Sequence, residues 1–279
     1  MASRDRTRPR SRRRPRRGGS DLFARVVVAV PAIAFAIFIV VQGGVVFAVG
    51  VGLLGVVCLH ELFAMYPQAR PARLAGFLGL IGLLAAALYG DRGTVLLAFV
   101  ATIPLTFAIA LAQRPPGGPP SIALTVLGLA WIGLAFAHAV LLRDLPHGDA
   151  IVVDVLVGTF IGDTGAMLGG RLFGRRRMSP VISPNKTWEG LGIGFVTAVA
   201  AVWFAGLYQD WLSGSDALLI GVAVGLTAPL GDLFESQVKR DSGVKDTGKA
   251  FGAHGGALDR LDAAFFTLVA GYYVWLALL

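Results

Sequence analysis

The chain has 279 residues, 55% of them hydrophobic and only 15% charged, with a mean hydropathy of +0.70. A soluble domain carries about 25% charged residues, so this composition excludes an ordinary water-soluble fold and points to a polytopic membrane protein. The net charge of +8 does not indicate nucleic-acid binding, because the 25 Lys and Arg gather in an N-terminal tail and in short loops between apolar blocks.

Residues 1–21 are rich in Arg, broken by Pro and nearly free of apolar side chains. They read as a disordered cytoplasmic tail that touches anionic lipid. Residues 22–279 read as one membrane domain. Nine apolar segments follow one another, at 22–41, 44–64, 73–90, 94–112, 121–142, 150–169, 188–207, 216–232 and 261–279. Each is close to the roughly 20 helical residues that cross a bilayer. The predicted fold is therefore all-α, with about nine transmembrane helices. A cytoplasmic N-terminus leaves only Arg92 and Arg143 outside, so 23 of the 25 basic residues lie on the cytoplasmic side, as the positive-inside rule requires. The single cysteine, Cys58, excludes an internal disulfide.

Chemistry-bearing residues concentrate in the second half, about 150–279. His60 and Glu61, at the end of the second segment, fit either a polar lining or simple interfacial placement. Asp163 lies inside the sixth segment among Gly and Thr. An intramembrane carboxylate is costly, which makes it a candidate for function. Asp154 stands nine residues earlier and so on the opposite helix face. The loop 170–187 ends in Ser183-Pro184-Asn185-Lys186-Thr187, with Glu189 just beyond. That pattern fits a capped helix start as well as a phosphate contact.

The densest cluster is SQVKRDSGVKDTGKAFGAHGGALDRLD, Ser236 to Asp262, with five cations and the acids Asp241, Asp246, Asp259 and Asp262. Cations beside carboxylates suit a phosphate and its metal ion. Asp232, Glu235, Ser236 and Lys239 follow the i, i+3, i+4, i+7 pattern that aligns them on one face of a helix leaving the eighth segment. Asp259 and Asp262 stand at i, i+3 where the ninth begins. His254-Gly255-Gly256 precedes them, and glycines before a helix N-terminus suit close approach to an anion.

These residues carry a resemblance. Ser236, Lys239, Arg240, Lys245, Asp246, His254, Gly255, Gly256, Asp259, Arg260 and Asp262 match in type and spacing the signature of the phosphatidate cytidylyltransferases, or CDP-diacylglycerol synthases. SPNKTWEG and DTGAMLGGRLFG also resemble that family, so the likeness covers about 160–262. Ala257 and Met167 depart from it at packing positions. The resemblance implies a cell-membrane enzyme, its active site facing the cytoplasm, that joins CTP to phosphatidate to give CDP-diacylglycerol and pyrophosphate. It implies Mg²⁺, with room for a second cation, held by Asp232 and Asp259. Asp262 and Asp246 are implied helpers, Lys239, Arg240, Lys245 and Lys186 phosphate contacts, and His254-Gly255-Gly256 a backbone cradle. Ser183, Ser236, Arg260 and Asp163 complete the expected substrate-binding set. Membrane lipids and a second copy in a homodimer are further expected partners, and nucleic acid is not one.

Competing readings are a CTP-dependent polyprenol kinase, an archaeal-type lipid cytidylyltransferase and, from another class, a transporter. The full H-G-G-x-x-D-R-x-D pattern favours the diacyl enzyme, and no paired broken helices support a transporter. A CDP-alcohol phosphotransferase is excluded, since D-G-x-x-A-R does not occur.

Overall fold

The protein is described by a computed structural model covering residues 18–248 and 255–279, with side chains from residue 30 onward. Most of the Arg-rich tail, and His254, lie outside the described residues. The helices are α1 (Gly18–Gln42), α2 (Gly44–Met65), α3 (Arg73–Tyr89), α4 (Arg92–Ala112), α5 (Pro119–Gly128), α6 (Leu134–Asp144), α7 (Gly148–Phe173), α8 (Trp188–Gly206), α9 (Gly214–Asp241) and α10 (Leu258–Leu278). Among the described residues seven helical runs are long and apolar enough to cross a membrane: α2, α4, the joined α5–α6 run, α7, α8, α9 and α10. Val30–Gln42 and Arg73–Tyr89 are shorter apolar helices.

Two features depart from the sequence reading. A π-helical turn, Leu129–Gly133, joins α5 to α6 inside the fifth apolar segment. The loop expected at 170–187 contains an antiparallel hairpin of β1 (Arg177–Ser179) and β2 (Ser183–Thr187). Strands this short carry no readable alternation of polar and apolar residues, so only the pairing reveals them. As its side-chain pattern implied, α9 runs on past residue 232 to Asp241.

In lipid, apolar side chains gain little by meeting one another, and helices associate through close packing of small residues. Gly158, Gly162, Ala166 and Gly170 recur every four residues on α7 and face Gly190, Gly194 and Ala198 of α8. A methyl group on Gly194 would lie 2.7 Å from Ala166 Cβ and 2.9 Å from the Gly162 carbonyl oxygen. Next to this seam, α8 packs on α9, α9 on α10, and α10 on α6 and α7. Large side chains fill the other half: Leu59, Leu62 and Phe63 of α2, Leu80 and Leu83 of α3, and Leu129 and Ile132 are fully buried.

The two ends of the bundle differ. At one, His147 stacks on Trp211 with ring centroids 4.0 Å apart, and Trp275 Nε1 donates to the Pro146 carbonyl at 2.8 Å. Arg143, one of the two basic residues that break the charge asymmetry, donates from Nε to the Val40 carbonyl at 2.6 Å. It thereby caps the C-terminal end of α1, where a cation is favoured. At the other end the hairpin, the C-termini of α2, α7 and α9 and the N-termini of α8 and α10 converge.

Candidate active site

A cavity of about 580 Å³ opens at that second end, between α7, α8, α9 and β2. Its polar residues include Asp163, Arg171, Asn185, Lys186 and Asp232. Below them the wall is built from Gly162, Gly194, Ala198, Gly225 and Ala228, so the packing that brings α7 and α8 together also shapes a narrow apolar slot. Lys186 Nζ lies 2.6 Å from Asp232 Oδ2 and joins the hairpin to α9.

Behind Asp232, carboxylate oxygens of Asp232, Glu235 and Asp262 lie within 4.8 Å of one another. Glu235 is 2% exposed. Its Oε2 pairs with Lys239 Nζ at 2.7 Å, while its buried Oε1 has no hydrogen-bond partner among the described residues. A buried carboxylate oxygen without a donor is costly, and three converging carboxylates repel one another. Oxygen donors in this arrangement suit a hard divalent cation such as Mg²⁺, so the residues fit the metal that the resemblance implies.

Lys239 also reaches Asp259 Oδ1 at 3.0 Å, a carboxylate that does not belong to this group of three. Asp259 Oδ2 accepts from the backbone N–H groups of Gly256 at 2.7 Å and Thr247 at 3.0 Å. Asp259, the expected second metal ligand, is thus outside the three-carboxylate group and is held by an ammonium and two backbone donors. The expected backbone cradle is also altered. Gly256 spends its N–H on Asp259, and Gly255 adopts φ +85°, the left-handed region that glycine enters freely.

The chain has a match that extends well beyond this end. The family model described as the cytidylyltransferase family covers residues 23–278. The chain belongs to the cytidylyltransferase family. Its relatives include a Mycobacterium bovis protein named phosphatidate cytidylyltransferase, 32% identical over 92% of this chain and 89% of that one. Proteins of the same name from Bacillus subtilis and Staphylococcus saprophyticus are 30% and 28% identical. They match over 91% and 88% of this chain and 97% and 95% of their own lengths, respectively.

The remaining predicted residues divide by position. Ser236 Oγ lies 3.5 Å from Asp232 Oδ1, at the limit of a hydrogen bond, on the face the helical pattern predicted. Asp163 is in the cavity wall, while Asp154 is buried on the opposite face, where Gln209 Nε2 donates to its oxygens at 3.0 and 2.9 Å. Ser183 pairs with Ser179 across the hairpin. Arg240 Nε donates to the Ile182 carbonyl at 3.0 Å, tying α9 to the hairpin tip rather than facing the carboxylates. Lys245 and Asp246 are exposed in the turn after α9, and Arg260 is exposed on the first turn of α10.

Sequence reasoning did not assign the roles of three residues of this end. Glu235 was visible in the i, i+3, i+4, i+7 pattern but was not assigned to the metal. Thr247 had no local signal, and Glu61, readable as a polar lining or as interfacial, could not be given its partner, because their hydrogen bond joins positions 186 residues apart. Tyr66 adds a second link from α2: its hydroxyl lies 2.9 Å from both the Val238 carbonyl and Asp241 Oδ2. Burial, aided by Asp241, pushes its pKa up to about 12.

Proposed function

We propose that this chain is a phosphatidate cytidylyltransferase, converting CTP and phosphatidate to CDP-diacylglycerol and pyrophosphate. Its relatives' names support the reaction. The observation that carries the reading for this molecule is the cavity, in which Lys186 and Asp232 stand above a slot of Gly and Ala between apolar helices. A phosphate at the polar rim and an acyl chain in the slot match an amphiphile with an anionic head.

A lipid phosphate oxygen forms a bond to the α-phosphorus of CTP, the α–β bridging P–O bond breaks, and pyrophosphate leaves with that electron pair. The attacking oxygen is already anionic, so no protein nucleophile or covalent intermediate is needed. The chain's task is positioning and charge neutralisation. Lys186 neutralises phosphate at the cavity rim. Lys239, fixed between Glu235 and Asp259, sets the spacing of α9 and α10. Asp232, Glu235 and Asp262 would hold Mg²⁺, with Asp259 alongside, and the bound cation would supply the positive charge on which two anions can approach. Asp163 lines the slot just below the rim.

The full topology proposed has nine spans, α1 and α3 included, a cytoplasmic N-terminus and the active-site end facing the cytoplasm. The 23-to-2 distribution of basic residues supports it. The test of function is purified protein with phosphatidate, Mg²⁺ and CTP labelled at the α- or the γ-phosphate. Label from the α-position alone should enter the lipid phase, with pyrophosphate released. Transfer of the γ-label would mark a lipid kinase, and no transfer of either would end the enzymatic reading.

A further inference from the structure

Glu61, on α2, is 5% exposed and sits far in sequence from everything it touches. Its Oε1 accepts from the Ala257 N–H at 3.1 Å, and its Oε2 accepts from the Leu258 N–H at 2.9 Å and from Thr247 Oγ1 at 3.3 Å. Ala257 and Leu258 form the start of α10, whose first N–H groups have no partner within the helix. A carboxylate there is favoured by hydrogen bonding and by the helix dipole together. The surroundings are fitted to it. A Cβ on Gly248 or Gly256 would collide with the Glu61 carboxylate.

The opposite side of the same backbone belongs to Asp259, which takes the Thr247 and Gly256 N–H groups. Two carboxylates, one from each half of the chain, therefore grip the same pair of points, around residue 247 and around 256–258. Glu61 itself touches none of the three metal-competent carboxylates, nor the cavity. It fixes the first turn of α10, and that turn carries Asp259 and Asp262 toward Asp232, Glu235 and Lys239 of α9.

We propose that Glu61 is a positioning residue for the transfer reaction, acting through the first turn of α10 to set the separation of the α9 and α10 carboxylates. All three of its partners donate, so a side chain that is itself half donor cannot replace it. Glutamine would turn an NH₂ group toward at least one N–H. Aspartate keeps two acceptor oxygens but is one methylene shorter. The inference deepens the cytidylyltransferase reading and rests on it for its kinetic arm, while its structural arm stands without it.

The test compares Glu61→Gln, Glu61→Asp and the parent, purified in detergent, by transfer kinetics and by amide hydrogen exchange of residues 257–262. Asp154→Asn, on the far face of α7, serves as a control. Glu61→Gln should lower kcat by about 10–100-fold, the scale for losing a group that orients active-site ligands, and should raise the Mg²⁺ needed for half-maximal rate. Glu61→Asp should recover part of the loss. Exchange at 257–262 should quicken in Glu61→Gln, and kcat per folded molecule should fall whether or not the unsatisfied N–H also lowers the melting temperature.

A Glu61→Gln protein that melts earlier yet keeps the parent's kcat per folded molecule would overturn the proposal, leaving a purely structural cap. Unchanged exchange at 257–262 would overturn it as well. If the parent itself transfers no cytidylyl group, the functional reading fails, and the exchange result alone decides whether Glu61 fixes that turn. Should Glu61→Gln not fold, Thr247→Val removes one of the three donors at nearly constant volume and must show the same effects, reduced; normal kcat and exchange there would overturn the proposal.

Discussion

Lys186 Nζ and Asp232 Oδ2, 2.6 Å apart, form an ion pair that closes the cavity rim between the hairpin and α9. Lys186 is on β2, so the hairpin's role is to carry this ammonium over the mouth of the slot. Lys186→Ala should lower kcat by about 10²–10³-fold, close to 3–4 kcal/mol of transition-state stabilisation, the loss seen when one preorganised electrostatic contact is removed. Steady-state kinetics at saturating CTP check this. A near-normal rate would return Lys186 to a helix-capping, topology-setting charge.

Lys239 and Arg240 are adjacent in sequence but should behave differently. Lys239→Ala leaves the buried Glu235 and the mostly buried Asp259 without their counter-charge, so both stability and activity should fall, stability by about 3–5 kcal/mol. Arg240→Ala removes an exposed link to the Ile182 carbonyl and should cost about 1 kcal/mol at most. Melting curves in detergent, with the transfer rate, separate the two.

The metal-competent group makes its own prediction. Asp232→Asn and Asp262→Asn should cut activity by orders of magnitude and shift the Mg²⁺ titration to higher concentration. Glu235→Gln should do the same while relieving the repulsion among the three converging carboxylates, so its melting temperature should not fall. Asp259→Asn should lose activity mainly through Lys239. A Mg²⁺ titration of Asp262→Asn matching the parent's would remove Asp262 from the group.

Packing of α7 on α8 is testable without activity. Gly194→Ala places a methyl 2.9 Å from a backbone oxygen and should destabilise by about 1–3 kcal/mol, as overpacking does. Gly192 on the same helix has open space around its Cβ position. Gly192→Ala should be neutral or stabilising by up to about 1 kcal/mol. Equal effects of the two substitutions would contradict the seam.

The helices were legible because lipid imposes a length and an apolarity on each of them, and every apolar segment falls on a helical run. The face of Asp232, Glu235, Ser236 and Lys239 was legible for a related reason: helical spacing alone puts the four together. Partner choice was not. Spacing cannot say that Lys239 goes to Asp259, or that the Gly256 N–H turns inward, because those contacts are settled by how α9 and α10 meet. Glu61 shows the limit most clearly. Beside His60 it read equally well as lining or as interface, and its role depends on residues the chain supplies much later.

That separation bears on how the protein is made. Ala257 follows Glu61 by 196 residues, and at about 5–20 residues per second synthesis takes roughly 10–40 s to cover that distance. For nearly all of that wait α2 carries a carboxylate with none of its final donors yet in existence, Thr247 following Glu61 by 186 residues. Its position, one turn before the helix ends at Met65, allows water to solvate the charge meanwhile. Burial of Glu61 is then deferred until the last helix enters the bundle, so the carboxylate changes from hydrated to enclosed in the same event that completes the site.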